Sequence, residues 1–264
     1  MIKVGVVGAL GKMGKEVIKA VLSQNDTELV MAIDVFKEGE DIGSIVVGKT
    51  IGVEIKSNIE EAIDSSRPDV IVDFTQPGLI FKNTQVYLAK KVHTVIGTTG
   101  LSEEQLAVLK EVSDKNKVSC LIAPNFSTGA ILMMRFAKQA AKYFNNAEII
   151  ELHHNQKKDA PSGTAIKTAK LMAEENSDFS TNNCAEVELL EGARGANSDS
   201  NIRIHSVRMP GYIASQEVIF GSDGQIFKIK HDTMDRSCYM AGVLLAVRHV
   251  CHNVGFVYGL ENIM

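Results

Sequence analysis

The opening of the chain limits its fold more than anything after it. A β-branched run, Ile2-Lys3-Val4-Gly5-Val6-Val7, meets Gly8-Ala9-Leu10-Gly11-Lys12-Met13-Gly14, and an amphipathic stretch from Lys12 to Leu22 follows at once. A strand that turns into a helix through spaced glycines begins a β–α–β unit, and so a parallel sheet. Each glycine has a task. The first permits the tight turn, the second lets a pyrophosphate reach the main chain, and the third lets helix and strand close on each other. Lys12, Met13 and Gly14 then offer N–H groups and a partial positive charge to phosphates. The spacing G-x-x-G-x-x-G departs from the common G-x-G-x-x-G, and alone it is also compatible with a plain tight turn. Asp34 adds weight. It lies about 20 residues beyond Gly14, at the end of the second apolar run, where a carboxylate accepts the adenine ribose hydroxyls. An acid there repels a 2′-phosphate, so NADH is expected to be preferred, or both cofactors used, with Lys37 partly offsetting the charge.

The first half of the chain keeps this alternation. Strands are expected at Ile2 to Val7, Leu29 to Ile33, Val70 to Phe74, Thr94 to Ile96 and Val118 to Ile122. Helices are expected at Lys12 to Leu22, Ile59 to Ser65, Leu79 to Lys90 and Glu103 to Asn116, the last opened by a capping box from Ser102 to Gln105. Short apolar strands without polar alternation mark a parallel sheet covered on both faces, the doubly wound α/β architecture. After Pro124 the texture changes. A long helix is expected from Asn125 to Tyr143, with Met133 and Met134 packing into a core, then a strand from Glu148 to His154 and a helix from Ser162 to Glu175. Strands at Ile202 to Arg208, Glu217 to Phe220 and Gln225 to Lys230 follow, the last two flanking the turn signal Gly221-Ser222-Asp223-Gly224. This predicts a second, α+β domain with an open mixed sheet. Residues 1–124, completed by a helical return in 234–264, would form the dinucleotide-binding domain, and 125–233 the substrate-binding and oligomerisation domain.

A net charge of −4 leaves no footprint for nucleic acid or an acidic membrane surface. No apolar stretch approaches the roughly 20 residues that span a bilayer. The N-terminus reads as a strand rather than a signal peptide, so a cytoplasmic protein is expected. Cys120, Cys184, Cys238 and Cys251 are scattered, which predicts reduced thiols. The group His249, Cys251 and His252 lacks the ligand number and spacing of a zinc site, and no metal is expected.

The densest polar segment runs from Glu151 through His153, His154, Lys157 and Asp159 to Thr164. If the strand continues through His154, period-2 geometry sends the two imidazoles to opposite faces, one free to donate a proton and the other to bind or brace. Pro161 fits the first turn of the next helix. Ser162, Gly163 and Thr164 then present hydroxyls and N–H groups at a positive helix end, and Lys157 adds a mobile charge. The segment predicts a small anionic substrate held beside an imidazole. Asp73-Phe74-Thr75 and Gly97-Thr98-Thr99-Gly100 close two strands at the ligand-binding edge of such a sheet, where they would meet the nicotinamide ribose and carboxamide.

In order along the chain, Gly8 to Gly14, Asp73 to Thr75, Gly97 to Gly100, Ala123-Pro124-Asn125-Phe126-Ser127, Glu151 to Ala165 and Ile204 to Arg208 resemble the motifs of the dihydrodipicolinate reductases. The resemblance implies a Rossmann-like domain joined to a mixed-sheet domain, assembled as a homotetramer. It implies NADH- or NADPH-dependent reduction of 4-hydroxy-tetrahydrodipicolinate, a small dicarboxylate, on the route to diaminopimelate and lysine. It makes His153 the general acid and Lys157 a catalytic, substrate-holding residue. His154, Ser162, Gly163 and Thr164 become carboxylate ligands, and Ala123, Asn125 and Phe126 join the cofactor contacts. Two departures stand out: Gln76, where an arginine is frequent, and the segment Met209 to Glu217. The first blurs cofactor preference; the second bears on domain-interface or subunit contacts, not on the reaction. Another two-domain nicotinamide oxidoreductase, such as an aspartate or sugar dehydrogenase, and a non-catalytic dinucleotide sensor are the competing readings.

Overall fold

The computed structural model describes residues 1–180 and 186–264; Cys184 lies outside the described residues. The chain divides into two compact units, Met1–Ser127 with Tyr239–Met264, and Thr128–Cys238.

In the first unit, β1 (Ile2–Val7), α1 (Lys12–Leu22), β2 (Thr27–Ile33), α2 (Ile42–Val46), β3 (Ile55–Lys56), α3 (Ile59–Ser66), β4 (Val70–Asp73), α4 (Pro77–Ala89), β5 (His93–Ile96), α5 (Glu103–Asn116) and β6 (Cys120–Ile122) follow one another. The second unit supplies α6 (Thr128–Ala141), β7 (Asn146–His153), α7 (Gly163–Glu175), β8 (Ala196–Asn197), β9 (Arg203–Arg208), β10 (Ala214–Ser222) and β11 (Gln225–Thr233). The chain then returns to the first unit with α8 (Met240–His252) and β12 (Phe256–Tyr258).

The first sheet has seven strands in the order β12-β6-β5-β4-β1-β2-β3, and every pairing is parallel. The strand order reverses on either side of β1, which makes the crevice beyond its C-terminal end the expected ligand position. Val4, Val6, Val7, Val70, Ile71, Val72, Val95 and Ile96 are buried, as strands covered on both faces require. α1 buries Gly14, Val17, Ile18 and Val21, one stripe at helical spacing. The short β3 and β12 escape sequence periodicity because two or three residues carry no readable pattern.

The second unit is a five-stranded sheet, β11-β10-β7-β9-β8, mixed because β7 runs parallel to β9 and antiparallel to β10. Ala137, Ala141, Ala165, Ala169 and Met172, from α6 and α7, pack with Ile149, Ile204, Val218 and Phe220 of the sheet. Met133 and Met134 are buried as expected, whereas Phe136 of the same helix is 52% exposed. α6 starts at Thr128 rather than Asn125, since Asn125 Oδ1 accepts the Ser127 N–H in a local turn before the helix. The hairpin turn shrinks to Asp223-Gly224, with Ser222 paired to Gln225 and Gly224 at φ +78°.

Candidate active site

The cofactor half is built at the C-terminal ends of the parallel strands in the first unit. Gly8, at φ +79°, turns the chain out of β1, and its N–H and that of Ala9 donate to the Ile33 carbonyl. Gly14 packs α1 onto this turn: a Cβ there would run into the Gly8 carbonyl oxygen and come 2.9 Å from Ala9 Cα. Gly11 caps the helix without a side-chain acceptor, and no acid occupies the first turn. The N–H groups of Lys12, Met13 and Gly14 therefore have no intrahelical acceptor and face an uncompensated positive helix end. Asp34 follows β2 directly and fixes the loop: Oδ2 accepts the Leu10 N–H at 2.9 Å and Oδ1 the Phe36 N–H at 3.2 Å. Lys37 is drawn to Glu40 at 3.0 Å.

Asp73 is fully buried at the end of β4, and burial raises its carboxyl above the usual range against four opposing hydrogen bonds. It accepts the Thr75 N–H and hydroxyl, both at 2.7 Å, and the Tyr87 hydroxyl at 2.7 Å. Asp73 thereby sets the loop that carries Phe74 and Thr75. The Phe74 ring lies against Gly97, where a Cβ would sit 2.5 Å from Cδ1, and tilts on Phe126 with centroids 5.8 Å apart. Ala123 donates to the Ile96 carbonyl, joining the ends of β5 and β6. Thr98 and Thr99 line a small pocket of about 90 Å³ with Leu101, Pro124 and Tyr258, and the Thr98 hydroxyl is buried with no partner. A glycine cradle, a free helix end, a strand-end carboxylate and an unanswered hydroxyl fit a dinucleotide.

A second polar cluster lies in the second unit, where β7 ends. The strand stops at His153, and His154 opens a turn in which its carbonyl accepts the Lys157 N–H. Parity along a continuous strand therefore does not govern the pair. His154 instead enters the turn with its Nδ1 buried and unpartnered. Pro161 precedes the helix rather than entering it: Ser162 is the cap, its Oγ accepting the Ala165 N–H at 3.2 Å. The Ser162 N–H is spoken for as well, donated to Glu151 Oε1 at 3.2 Å. The N–H groups of Gly163 and Thr164 remain, as the first of α7, without intrahelical acceptors. A Cβ on Gly163 would meet nothing within 4 Å, so open space borders this glycine in the first turn of α7. Lys157 Nζ is not loose: it pairs with both Asp159 oxygens at 2.8 and 2.7 Å.

Glu151 is the residue that sequence reasoning left without a role. Fully buried, it takes a two-pronged grip from Arg208, Nη2 to Oε1 at 2.8 Å and Nη1 to Oε2 at 2.9 Å. Oε2 also lies 2.5 Å from His153 Nδ1. Burial pushes the Glu151 carboxyl up, but Arg208, Ser206 and His153 outweigh it and hold it below the usual range. Burial likewise pushes the His153 imidazole down; Glu151 opposes this, and Lys157 and Arg208 add to it. The signal was present: residues two apart on a strand share a face, so Glu151 and His153 belong together. Arg208 is reached only through the sheet, by the register that sets it beside His153 on β9.

Among the described residues, no group of three or more His, Cys, Asp or Glu side chains is arranged to hold a metal ion, and no helix is long and apolar enough to cross a membrane.

Comparison with known proteins adds to this geometry. The family described as "Dihydrodipicolinate reductase, N-terminus" matches residues 2–126, and "Dihydrodipicolinate reductase, C-terminus" matches 129–264. A 4-hydroxy-tetrahydrodipicolinate reductase of Thermosynechococcus vestitus is 50% identical over 267 residues, covering 100% of this chain and 97% of the relative. One from Listeria welshimeri is 48% identical, with 99% of each covered. A solved structure, dipicolinate-bound dihydrodipicolinate reductase from Paenisporosarcina sp. TG-14, superposes with a TM-score of 0.88 at 43% identity and full coverage of both chains.

Proposed function

Since the chain belongs to the dihydrodipicolinate reductase family, we propose that its two half-sites divide one reaction, the NADH- or NADPH-dependent reduction of 4-hydroxy-tetrahydrodipicolinate to tetrahydrodipicolinate. The enzyme is an oxidoreductase of diaminopimelate and lysine biosynthesis. The first unit binds the cofactor, with Gly8, Gly11, Lys12, Met13 and Gly14 at the pyrophosphate and Asp34 at the adenine ribose. Phe74, Thr75, Gly97, Thr98, Thr99, Ala123, Asn125 and Phe126 surround the nicotinamide end. The second unit binds the dicarboxylate.

The bound cofactor supplies the hydride. Overall, the substrate loses its hydroxyl as water and gains a hydride at one ring carbon and a proton at the neighbouring one. His153 supplies that proton: an imidazole suits the role because its unperturbed pKa lies near ~6.5, and Glu151 opposes the lowering that burial imposes here. Gly163 and Thr164 hold one carboxylate by their N–H groups and the helix end, with the Ser162 side chain shaping the cap. The buried, unpaired His154 Nδ1 supports a role as a second contact. Lys157 leaves Asp159 for the substrate and stabilises charge as it redistributes in the ring.

One observation carries the reading: an imidazole braced by a buried carboxylate stands on the strand that leads to the start of α7, where Gly163 borders open space. Mixing the protein with reduced nicotinamide and the cyclic synthase product should bleach the nicotinamide absorbance. His153→Gln should lower kcat by about 10²-fold or more. Cofactor binding without any turnover would point to a sensor and overturn the proposal.

The same reading makes the protein a cytoplasmic homotetramer assembled through the second unit's sheet. The exposed Ile226 on β11, which faces away from the Phe144–Phe220–Phe227 ring cluster, supports a covered sheet in the assembly.

A further inference from the structure

Donors converge on Glu151 from several elements. Oε1 accepts from Arg208 and from the Ser162 N–H; Oε2 accepts from Arg208 and faces His153 Nδ1; the Ser206 side chain adds a further hydrogen bond to the carboxylate. An ionised carboxylate has no hydrogen to give, so the hydrogen in the short contact to His153 belongs to Nδ1. That leaves Nε2 as the only ring nitrogen able to exchange a proton with anything else. Arg208 comes from β9, where the parallel register pairs it with His153, and it also donates to the Asp159 carbonyl at 2.7 Å. One guanidinium thus ties the carboxylate to the loop that carries Lys157.

We propose that Glu151 and Arg208 act as positioning residues for His153: Arg208 locks the carboxylate, and the carboxylate fixes the ring so that Nδ1 keeps its hydrogen and Nε2 delivers one. The inference rests on the reading of His153 as proton donor. In the step itself the Nε2–H bond breaks, its electron pair stays on the ring, and the proton bonds to the substrate carbon beside the one that receives hydride. The ring is left neutral with Nδ1–H still on Glu151, and solvent restores the Nε2 proton. Buried carboxylates orient catalytic imidazoles this way on unrelated folds. The charged groups facing His153 are Glu151 on its own strand, Arg208 on β9, and Lys157 in the following loop.

A double-mutant cycle tests the pair. Glu151→Gln should lower kcat about 10²-fold with little change in KM, and move the alkaline limb of the kcat profile to lower pH, because the charge that favoured the imidazolium is gone. In the His153→Gln background the same substitution should change kcat less than about threefold. If His153→Gln alone leaves kcat intact, the parent reading falls. If His153→Gln lowers kcat and Glu151→Gln lowers it again by its full factor, the positioning role falls and the parent reading stands. A Glu151→Gln protein that does not fold leaves the wild type to decide, through 15N chemical shifts of its histidine rings. Neutral His153 should carry its hydrogen on Nδ1, and a hydrogen on Nε2 would overturn the proposal.

Discussion

Gly14 and Gly11 separate two tasks that one glycine loop performs, packing and ligand access. An alanine methyl at Gly14 would drive into the Gly8 carbonyl and sit 2.9 Å from both Ala9 Cα and the Gly8 carbonyl carbon. Carbon atoms settle at about 3.5–4.0 Å, so α1 must retreat from the β1 turn by roughly 1 Å. Overpacking of this kind costs about 1–3 kcal/mol. It also carries the N–H groups of Lys12, Met13 and Gly14 off their target, and a misplacement of about 1 Å can cost on the order of 10²-fold. At Gly11 the methyl would meet only the Gly8 oxygen, at 3.1 Å, and the backbone at φ −65° already suits alanine. Gly11→Ala should change stability by less than about 1 kcal/mol, yet weaken the cofactor at least about tenfold, because its methyl occupies the pyrophosphate's approach. Urea unfolding reads the stability of each variant, and NADH fluorescence titration reads the affinity. Wild-type affinity in Gly11→Ala, or wild-type stability in Gly14→Ala, would refute the reasoning.

Other substitutions test the remaining assignments. Gly163→Ala should match or exceed wild-type stability, by up to about 1 kcal/mol, since the methyl enters open space at a helical position; KM for substrate should nonetheless rise. Lys157→Met should lower kcat/KM about 10- to 150-fold, the worth of a charge-assisted hydrogen bond of about 1.5–3 kcal/mol, as steady-state kinetics would report. Asp34→Asn keeps an acceptor for Leu10 and removes the charge, so the NADH to NADPH ratio of kcat/KM should fall about tenfold, the effect of roughly 1.4 kcal/mol. An unchanged ratio would take Asp34 away from the ribose. Tyr87→Phe removes the 2.7 Å donor to Asp73 and leaves Asn83 at 3.4 Å, at a cost of about 1–3 kcal/mol. The lost bond favours the ionised carboxylate, whose folded pKa burial has raised. The deficit should therefore be larger at neutral pH than below the unfolded value near about 3.9, where Asp73 is protonated in both states.

The amino-acid sequence by itself determined the parallel sheet, the glycine turn and the start of α7, because these depend on local rules. Unbroken apolar strands declare burial on both faces, Gly8 to Gly14 declare a turn tight enough to face phosphates, and Ser162 to Thr164 declare a helix start. Periodicity placed α1 and α5 at the residues observed. Tertiary structure decided what depends on partners distant in sequence. Whether His153 ends its strand, whether Pro161 stands inside or before the helix, and which nitrogen of His153 is free all follow from Glu151, Ser162 and Arg208 converging across β7, β9 and the start of α7. Gln216, in a segment marked only as unusual, turns out to be buried on β10 with its amide on Thr168 of α7. A side chain's chemistry is written in its own residue, but its tautomer, its ionisation and its freedom to meet a ligand are set by neighbours that only the folded register brings within hydrogen-bonding distance.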